Sequence, residues 1–389
     1  MSEVPLPEAG ATPSASAAGA PSFWSALPGR LAVALFLASL FLPAFLLADD
    51  RYWLPLFTRY MALALFALSV DLIWGYTGLL SLGQGLYFGL GVYAVGYSLK
   101  LRAAADEAGL PYVPGPDMAL PDFMAYCRLE AVPGWIAPLI NIWVALAVAV
   151  ILPTVVAALF GLVTFARGIK GVYFSLITQT LVLAIYTLFV NQQPYTGGVV
   201  GMTRLAKLNL FGHPFVRVDL YLLITTILVL CYLVLAAVMR SKFGKVLTAI
   251  RDSEYRVLAL GYKTAMYKTF VFAVAGGLAG LAGALYVSAL GTAGPDQLKI
   301  EFSIEAVILV AVGGRGTLIG AILGTILVCL ANTYINDEFN QAWPIILGSL
   351  FILVVVFLPE GIVGGIGRLA SRVRLAHRSR FGDLAAKGA

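Results

Sequence analysis

The chain has 389 residues, of which 60% are hydrophobic and only 12% are charged, and its formal net charge is +6. Its mean hydropathy is +0.90. A soluble protein needs more polar surface than this composition supplies, so an assembly of soluble domains is excluded. Basic residues cluster at the ends of long uncharged runs, as in membrane proteins, and the net charge therefore gives no support to nucleic-acid binding.

The first 29 residues are predicted to be a disordered cytosolic tail. Ala, Ser, Pro and Gly dominate them, and they contain no lysine or arginine. A secretory signal would need a basic start before an apolar core, and this stretch has none.

Residues 30–366 are predicted to form one all-α membrane domain of about ten spanning helices, since a spanning helix needs about 20 apolar residues. The eighth apolar run is short and ends in glycine, which predicts a tilted, broken or re-entrant segment. The ten runs are 31–48, 54–76, 79–99, 136–165, 172–190, 218–239, 268–291, 303–314, 317–335 and 344–363.

Basic clusters indicate which face of this domain is cytoplasmic. The segment 240–268 carries seven lysines and arginines against two acids, and the basic tail 367–389 carries five arginines. Arg167 and Lys170 follow the fourth run, and Arg315 separates the eighth from the ninth. Alternating spans place all of them on one face, which predicts that both termini are cytoplasmic.

Glycine pairs at GxxxG spacing predict close helix packing within a compact bundle. They are Gly85 with Gly89, Gly276 with Gly280, and Gly320 with Gly324.

The sequence predicts neither an enzyme nor a metal or cofactor site. Enzymes need a nucleophile with a base, an acid–base pair or a metal cluster, and the chain has only two histidines and three scattered cysteines. The glycine-rich string 313–320 lacks the Lys-Ser/Thr ending of a phosphate-binding loop. Any ATP that drives this protein must therefore bind a separate subunit.

Ionisable groups within the predicted spans are candidate solute contacts, because charge is costly there. Asp71 lies in the second span and Glu305 in the eighth. A central aspartate costs about 2.5–3.5 kcal/mol on insertion scales, so Asp71 is predicted to be paired, protonated or facing water. The alternatives are a structural hydrogen bond for Asp71 and a position among outer lipid headgroups for Glu305.

Two uncharged polar patches are further candidates for the solute path. Ser81, Gln84 and Tyr87 share approximately one helical face, among glycines that let the backbone approach a ligand. The second patch opens the fifth span and consists of Ser175, Thr178 and Gln179. Such groups suit a small neutral or zwitterionic solute, with interhelical hydrogen bonding as the alternative.

The segment 240–268 is too charged to lie in lipid. Apolar residues recur in it at helical spacing, and Gly244 and Gly261 stand where breakers would bracket a short helix. It is predicted to be an amphipathic docking helix, with an interfacial helix on anionic lipid as the alternative.

Four motifs together resemble a known family. The run 243–287 contains AIRDSEYRVLALGY followed by AGLAGALY, and similar motifs stand at 78–93 (GLLSLGQGLYFGLGVY), 171–179 (GVYFSLITQ) and 359–364 (PEGIVG). They closely resemble the permeases of the branched-chain amino-acid family of ABC importers. The resemblance implies a bacterial inner-membrane complex with a second related permease, two cytosolic ATP-binding subunits and a periplasmic solute-binding protein.

The same resemblance implies that the segment around 249–254 docks on an ATPase. The mechanism predicted here is alternating access, in which a push through 243–261 rearranges the spans near Gln84 and Gln179. The residues expected to couple the two are Phe243, Gly244, Ala249, Ile250, Arg251, Asp252, Glu254 and Gly261.

Within the family, the runs 303–324 and 350–364 resemble the urea-type branch, so urea or a short amide is the expected solute. A branched-chain or other amino acid is the alternative, although no intramembrane cation stands out as a partner for its carboxylate. The loop at 191–217 and the predicted outer loop at 100–135 depart from the urea-type pattern. A stand-alone channel or secondary carrier is a distant alternative, since no cluster of intramembrane acids is visible.

Overall fold

The computed structural model describes residues 27–338, except 116, 117, 170 and 211, together with short stretches between 345 and 364. The predicted tails 1–29 and 367–389 and the tenth predicted span, 344–363, lie wholly or largely outside the described residues.

The described part of the chain is almost entirely helical. Its one sheet is a two-residue hairpin in which β1 (Asn209–Leu210) pairs antiparallel with β2 (His213–Pro214). The helices in chain order are α1 (Leu27–Ser39), α2 (Leu42–Leu46), α3 (Trp53–Thr77), α4 (Gln84–Ala108), α5 (Asp122–Tyr126), α6 (Ile142–Ala166), α7 (Val172–Asn191), α8 (Gln193–Thr196), α9 (Val218–Arg240), α10 (Lys242–Ala259), α11 (Thr264–Leu290), α12 (Ile300–Gly313) and α13 (Leu318–Glu338).

Within the described residues, six helices are long and apolar enough to cross a membrane: α3, α6, α7, α9, α11 and α13. The predicted count of about ten spans is therefore not confirmed. The first predicted span is divided into α1 and α2, with Pro43 at the start of the second. α12 has 14 residues, and at 1.5 Å per residue it is about 21 Å long, shorter than a hydrocarbon core of about 30 Å.

The centre of the bundle is formed by α3 and α11. Of their most apolar windows, 78% and 67% are buried, against 22% for α6 and α7 and 28% for α9, which places these three at the periphery. α11 packs against α3, α4 and α6.

Small residues allow this close packing. A Cβ on Gly280 would lie 2.1 Å from the carbonyl oxygen of Ala149 in α6, and one on Gly283 would lie 2.1 Å from that of Phe88 in α4. The three predicted glycine pairs all lie at such contacts, since Gly85 and Gly89 face the 297–303 region and Gly320 and Gly324 face α12. The glycine prediction is confirmed.

Two helices begin inside the bundle rather than at its surface. Phe88 of α4 and Phe302 of α12 both contact Phe66, with ring centroids 4.6 and 5.4 Å away. Phe66 is next to the middle of α3, thirteen residues after its first residue and eleven before its last. Residues 78–83, predicted as part of a span, are non-helical and lead to the start of α4. The prediction of a broken eighth segment agrees with α12, and the break before α4 was not predicted.

Candidate coupling site and solute path

The amphipathic helix predicted within 240–268 is α10. Ser241 caps it, with its side chain accepting a hydrogen bond from the Phe243 N–H at 3.2 Å. Gly261, with φ at +85°, follows the helix, as predicted for a breaker. Gly244 does not bracket the helix but lies inside it, where a Cβ would be 2.1 Å from the carbonyl oxygen of Met239 in α9. This glycine therefore permits the tight approach of α10 to α9.

Ser253 divides α10 into two parts, because its backbone is extended (φ −162°, ψ 92°). Arg251 precedes this break and Glu254 follows it. These two side chains are bound to different spanning helices.

The first part contacts α3. The Arg251 guanidinium donates a hydrogen bond to the carbonyl oxygen of Gly75 at 2.8 Å. The turn between α12 and α13 meets the same place, because the Gly316 N–H donates to the fully buried Asp71 carboxylate at 2.6 Å. Arg315 lies over the Trp74 ring, 5.5 Å from its centroid. We call the end of α3 (71–77), the turn 314–317 and Arg251 the junction.

The second part of α10 is bound to α11. Glu254 accepts hydrogen bonds from the Lys268 ammonium at 2.6 Å and from the Thr264 hydroxyl at 3.1 Å. The side chains of Glu254 and Lys268 are only 18% and 5% exposed, so this ion pair is largely shielded from water. The first part of α10 also contacts α11, because Phe243 stacks on Tyr267 with centroids 5.6 Å apart.

One side of α10 is left open to solvent. Ile250 is buried, whereas Ala249 and Asp252 are exposed. Tyr255 and Leu260 are 84% and 75% exposed, although both are large and apolar. Exposed apolar side chains on a charged segment are a feature of protein-binding surfaces.

Among the described residues, the basic segments that follow α6, that form 240–268 and that include Arg315 lie on one face of the bundle. Glu254 and Lys263 line a cavity of about 240 Å³ together with Gly168 and Ile169, which follow α6. Arg315 lies at the same end of the molecule, because it contacts Trp74, which is next to the Gly75 carbonyl that binds Arg251. This end is called the basic face here, and its cytoplasmic location stays a prediction.

The structure brings the two predicted polar patches together. The Ser175 hydroxyl of α7 donates to the carbonyl oxygen of Leu80 at 2.6 Å, and the Thr178 hydroxyl accepts from the Leu82 N–H at 3.3 Å. Ser81 accepts from the Gly83 N–H at 3.3 Å. These hydroxyls therefore stabilise the non-helical stretch 78–83, which agrees with the interhelical alternative for this part of the site.

Gln84 differs from its neighbours. It is 1% exposed, and neither atom of its amide has a hydrogen-bond partner among the described residues. The next residue, Gly85, donates its N–H to the Ser303 hydroxyl of α12 at 2.9 Å, so the beginnings of α4 and α12 meet here. A buried amide without a partner is costly, and such groups often serve a ligand.

The other predicted path residues are separated. Tyr87 is buried edge-on against Phe272 with centroids 5.5 Å apart, and Gln179 is half-buried on α7. Asp71 belongs to the junction and not to the Gln84 region, and its second carboxylate oxygen has no partner in the described part of the chain. Glu305 lies three residues beyond Phe302 towards the basic face, which argues against the outer headgroup position.

The predicted outer loop 100–135 begins later than expected, because α4 continues to Ala108. Lys100 is buried in α4 and donates to Asp122 of α5 at 2.9 Å and to the carbonyl oxygen of Thr203 at 2.8 Å. Burial alone would raise the pKa of Asp122, but the Lys100 ammonium and the Phe123 N–H together hold that pKa below its usual value. This ion pair ties the outer connection to a central helix.

Sequence reasoning missed several partners of the predicted residues. Gly75, Lys268 and Ser303 contact Arg251, Glu254 and Gly85, respectively, and none of them was singled out. Of the three, only Lys268 could have been identified from the sequence, because it is a lysine at the start of an otherwise apolar span.

The sequence of the chain is similar to those of known transport permeases. The family described as "Branched-chain amino acid transport system / permease component" matches residues 52–358. The chain is 25% identical over 238 residues to the high-affinity branched-chain amino acid transport system permease protein LivM of Salmonella typhimurium, which covers 53% of this chain and 56% of that protein. It is 24% identical to LivM of Escherichia coli over 58% of each chain. It is 23% identical to the ribose import permease protein RbsC of Haemophilus influenzae, over 55% of this chain and 68% of RbsC.

The chain thus spans a little over half the length of the two LivM relatives. No solved structure matches it significantly. Because the family match extends over most of the chain and includes the junction and the Gln84 region, the chain belongs to the family of branched-chain amino acid transport system permease components.

Proposed function

We propose that this protein is the membrane-spanning permease subunit of an ATP-driven importer of branched-chain amino acids in a bacterial inner membrane. The family description and the names of the two LivM relatives support this solute class. Urea, expected from the runs 303–324 and 350–364, has no counterpart among these relatives. It is kept as the second candidate because of those two runs.

The proposed partners are a second related permease, two cytosolic ATP-binding subunits and a periplasmic solute-binding protein. ATP is hydrolysed by the partner subunits, since this chain has no phosphate-binding loop. The open side of α10, with Tyr255 and Leu260, is the surface proposed to meet an ATP-binding subunit.

The observation that carries the proposal is the division of α10 at Ser253. A push on α10 acts through Arg251 on α3 and the 314–317 turn, and through Glu254 on α11. α3 and α11 form the centre of the bundle, so their displacement alters the packing around the beginnings of α4 and α12. A movement driven by ATP at one face thereby opens the Gln84 region to the solute.

Uptake of labelled leucine and labelled urea, with and without this chain, tests the solute. The cells lack urease, so that metabolism does not imitate transport. Loss of leucine uptake alone is the expected result. Loss of urea uptake alone would replace the amino-acid assignment with the urea-type one.

The coupling role is tested with Arg251→Ala in the purified complex. The expected result is continued ATP hydrolysis with solute uptake reduced at least tenfold, because the hydrogen bond from α10 to the Gly75 carbonyl of α3 is lost. Lys245→Ala, an exposed change on the same helix, serves as the control. Unchanged uptake and assembly in Arg251→Ala would contradict the coupling role. Failure of the chain to purify with an ATP-binding subunit would favour a stand-alone channel or carrier.

A further inference from the structure

Three charged residues lie just before and at the start of α12, ahead of the predicted span 303–314. Lys299 and Asp296 form an ion pair at 2.6 Å, and their side chains are 42% and 72% exposed. Glu301 is also exposed. We call Asp296, Lys299 and Glu301 the charged face.

The depth of the charged face follows from the ring contacts of Phe302. Phe302 stacks on Phe66 with centroids 5.4 Å apart and an interplanar angle of 11°, and Phe66 marks the middle of α3. Lys299 precedes Phe302 by three residues, and three residues span at most about 11 Å even when fully extended. A hydrocarbon core extends only about 15 Å on either side of its middle, so Lys299 and Glu301 lie well inside it.

Exposed charges at this depth do not face lipid. Charged side chains within a membrane are costly, and those that occur face a bundle interior or a water-filled cavity. Lys299 and Glu301, of opposite sign and with Asp296 paired to Lys299, indicate a polar passage along this side of the chain.

A cavity of about 150 Å³ opens beside the charged face. It lies between α7 and the start of α12 and is lined by Leu183, Tyr186, Lys299, Ile300 and Glu301. An apolar cavity of about 150 Å³ is large enough for benzene, and a leucine side chain is smaller than benzene. The lining therefore combines one cation, one anion and an apolar wall.

Gln84 lies near the charged face. A Cβ on the neighbouring Gly85 would be 3.2 Å from the carbonyl oxygen of Gln297 and 3.6 Å from that of Lys299. The buried, unpartnered amide of Gln84 is an independent sign of a missing polar partner in this region.

We propose that the charged face lines the solute path and recognises the head group of a zwitterionic amino acid. Lys299 binds the carboxylate and Glu301 the ammonium, while Leu183, Tyr186 and Ile300 contact an aliphatic side chain. Asp296 holds Lys299 by their ion pair when no solute is bound. This inference rests on the proposed function, and Lys299 is the intramembrane cation that an amino-acid carboxylate requires.

The position of the charged face is tested without reference to the solute. Cys127, Cys231 and Cys329 are replaced by alanine, and Glu301→Cys or Val155→Cys is introduced into the assembled complex. A charged, water-soluble thiol reagent is expected to label Glu301→Cys, whereas Val155→Cys, exposed on the peripheral helix α6, stays unlabelled. A Glu301→Cys complex that assembles and resists the reagent would overturn the path assignment.

Recognition is tested by leucine uptake in Lys299→Gln and Glu301→Gln. Each is expected to lose at least tenfold in uptake at low leucine concentration, with ATP hydrolysis and assembly retained. Lys207→Gln, an exposed lysine elsewhere, is the matched control. Uptake within twofold of the wild type in both variants would overturn the recognition role. A wild-type complex that carries urea and not leucine would refute both the proposed function and the recognition of an amino acid. The labelling of Glu301→Cys would still decide separately whether the charged face lines the path.

Discussion

At the scale of single residues, the buried position of Gln84 is expected to lower the free energy of unfolding. Its amide is buried without a hydrogen-bond partner in the described structure, and an unsatisfied buried group costs about 1–3 kcal/mol. Methionine has a similar size and no strong polar atom. Gln84→Met is therefore expected to raise the free energy of unfolding by about 1–3 kcal/mol while it lowers solute uptake.

Thermal unfolding of the purified complex and an uptake assay measure the two effects of Gln84→Met. Gln192→Met, at an exposed glutamine after α7, is expected to change stability by less than about 0.5 kcal/mol. A less stable Gln84→Met variant would show that the amide has a partner in the assembled complex.

The ion pair of Glu254 and Lys268 is expected to matter more than that of Arg251 and Asp252. The first pair is 18% and 5% exposed, the second 34% and 62%. Glu254→Gln leaves the Lys268 charge without its carboxylate and is expected to destabilise the protein by up to about 3–5 kcal/mol. Asp252→Asn removes an exposed pair and is expected to cost at most about 1 kcal/mol. Equal melting temperatures for the two variants would contradict this ranking.

Residue type identified Gln84, because an amide is conspicuous in apolar sequence, whereas Arg251 and Glu254 were expected from the family resemblance of the charged segment 240–268. Their partners could not be predicted in the same way. Arg251 binds a backbone carbonyl 176 residues away, and a backbone acceptor leaves no mark on the sequence. Lys299 and Glu301 were missed because they stand before the apolar run at 303–314, and only the Phe302 contact reveals their depth.

At the scale of elements, the meeting of α3 with the turn between α12 and α13 depends on the absence of a side chain at Gly75. A Cβ there would lie 2.5 Å from the backbone nitrogen of Gly316 and 2.3 Å from Asp71. Gly75→Ala is expected to force the turn away from α3 and to destabilise the protein by about 1–3 kcal/mol.

The melting temperature of the complex and its uptake activity check the Gly75→Ala prediction. Gly134→Ala is the matched control, since nothing lies within 4 Å of a Cβ at that position. A Gly75→Ala protein as stable as Gly134→Ala would mean that the turn is free to move, and the junction would then be too loose to transmit a push.

Helix boundaries were predictable where the run of apolar residues and the helix coincide. The predicted span 54–76 corresponds to α3 (Trp53–Thr77), and 172–190 corresponds to α7 (Val172–Asn191). The break at 78–83 was not predictable from hydropathy, because an extended stretch stabilised by Ser175 and Thr178 is as apolar as a helix. In the same way, the short apolar run at 303–314 predicted a short helix. Only the contact between Phe302 and Phe66 shows that α12 begins near the middle of the bundle.

At the scale of the whole molecule, the basic face is predicted to meet the cytoplasm. The basic face carries α10 and the junction, and positive charge favours the cytoplasmic side. Cys127, on the opposite side after α5, is a native probe for the outer face. Tyr255, 84% exposed on α10, provides a probe position for the basic face once the three native cysteines are replaced.

We expect a membrane-impermeant thiol reagent to label Cys127 in cells whose inner membrane is intact. The Tyr255→Cys variant should react only after that membrane is permeabilised, because a charged reagent does not cross the hydrocarbon core. The reverse pattern would place α10 in the periplasm. No cytosolic ATP-binding subunit could then reach Tyr255 and Leu260, and the coupling proposal would fail even if leucine uptake depended on this chain. Labelling at the predicted faces would instead place Ser253 on the cytoplasmic side, where an ATP-binding subunit can reach α10. The charged face would then lie at the far end of α12 from the junction.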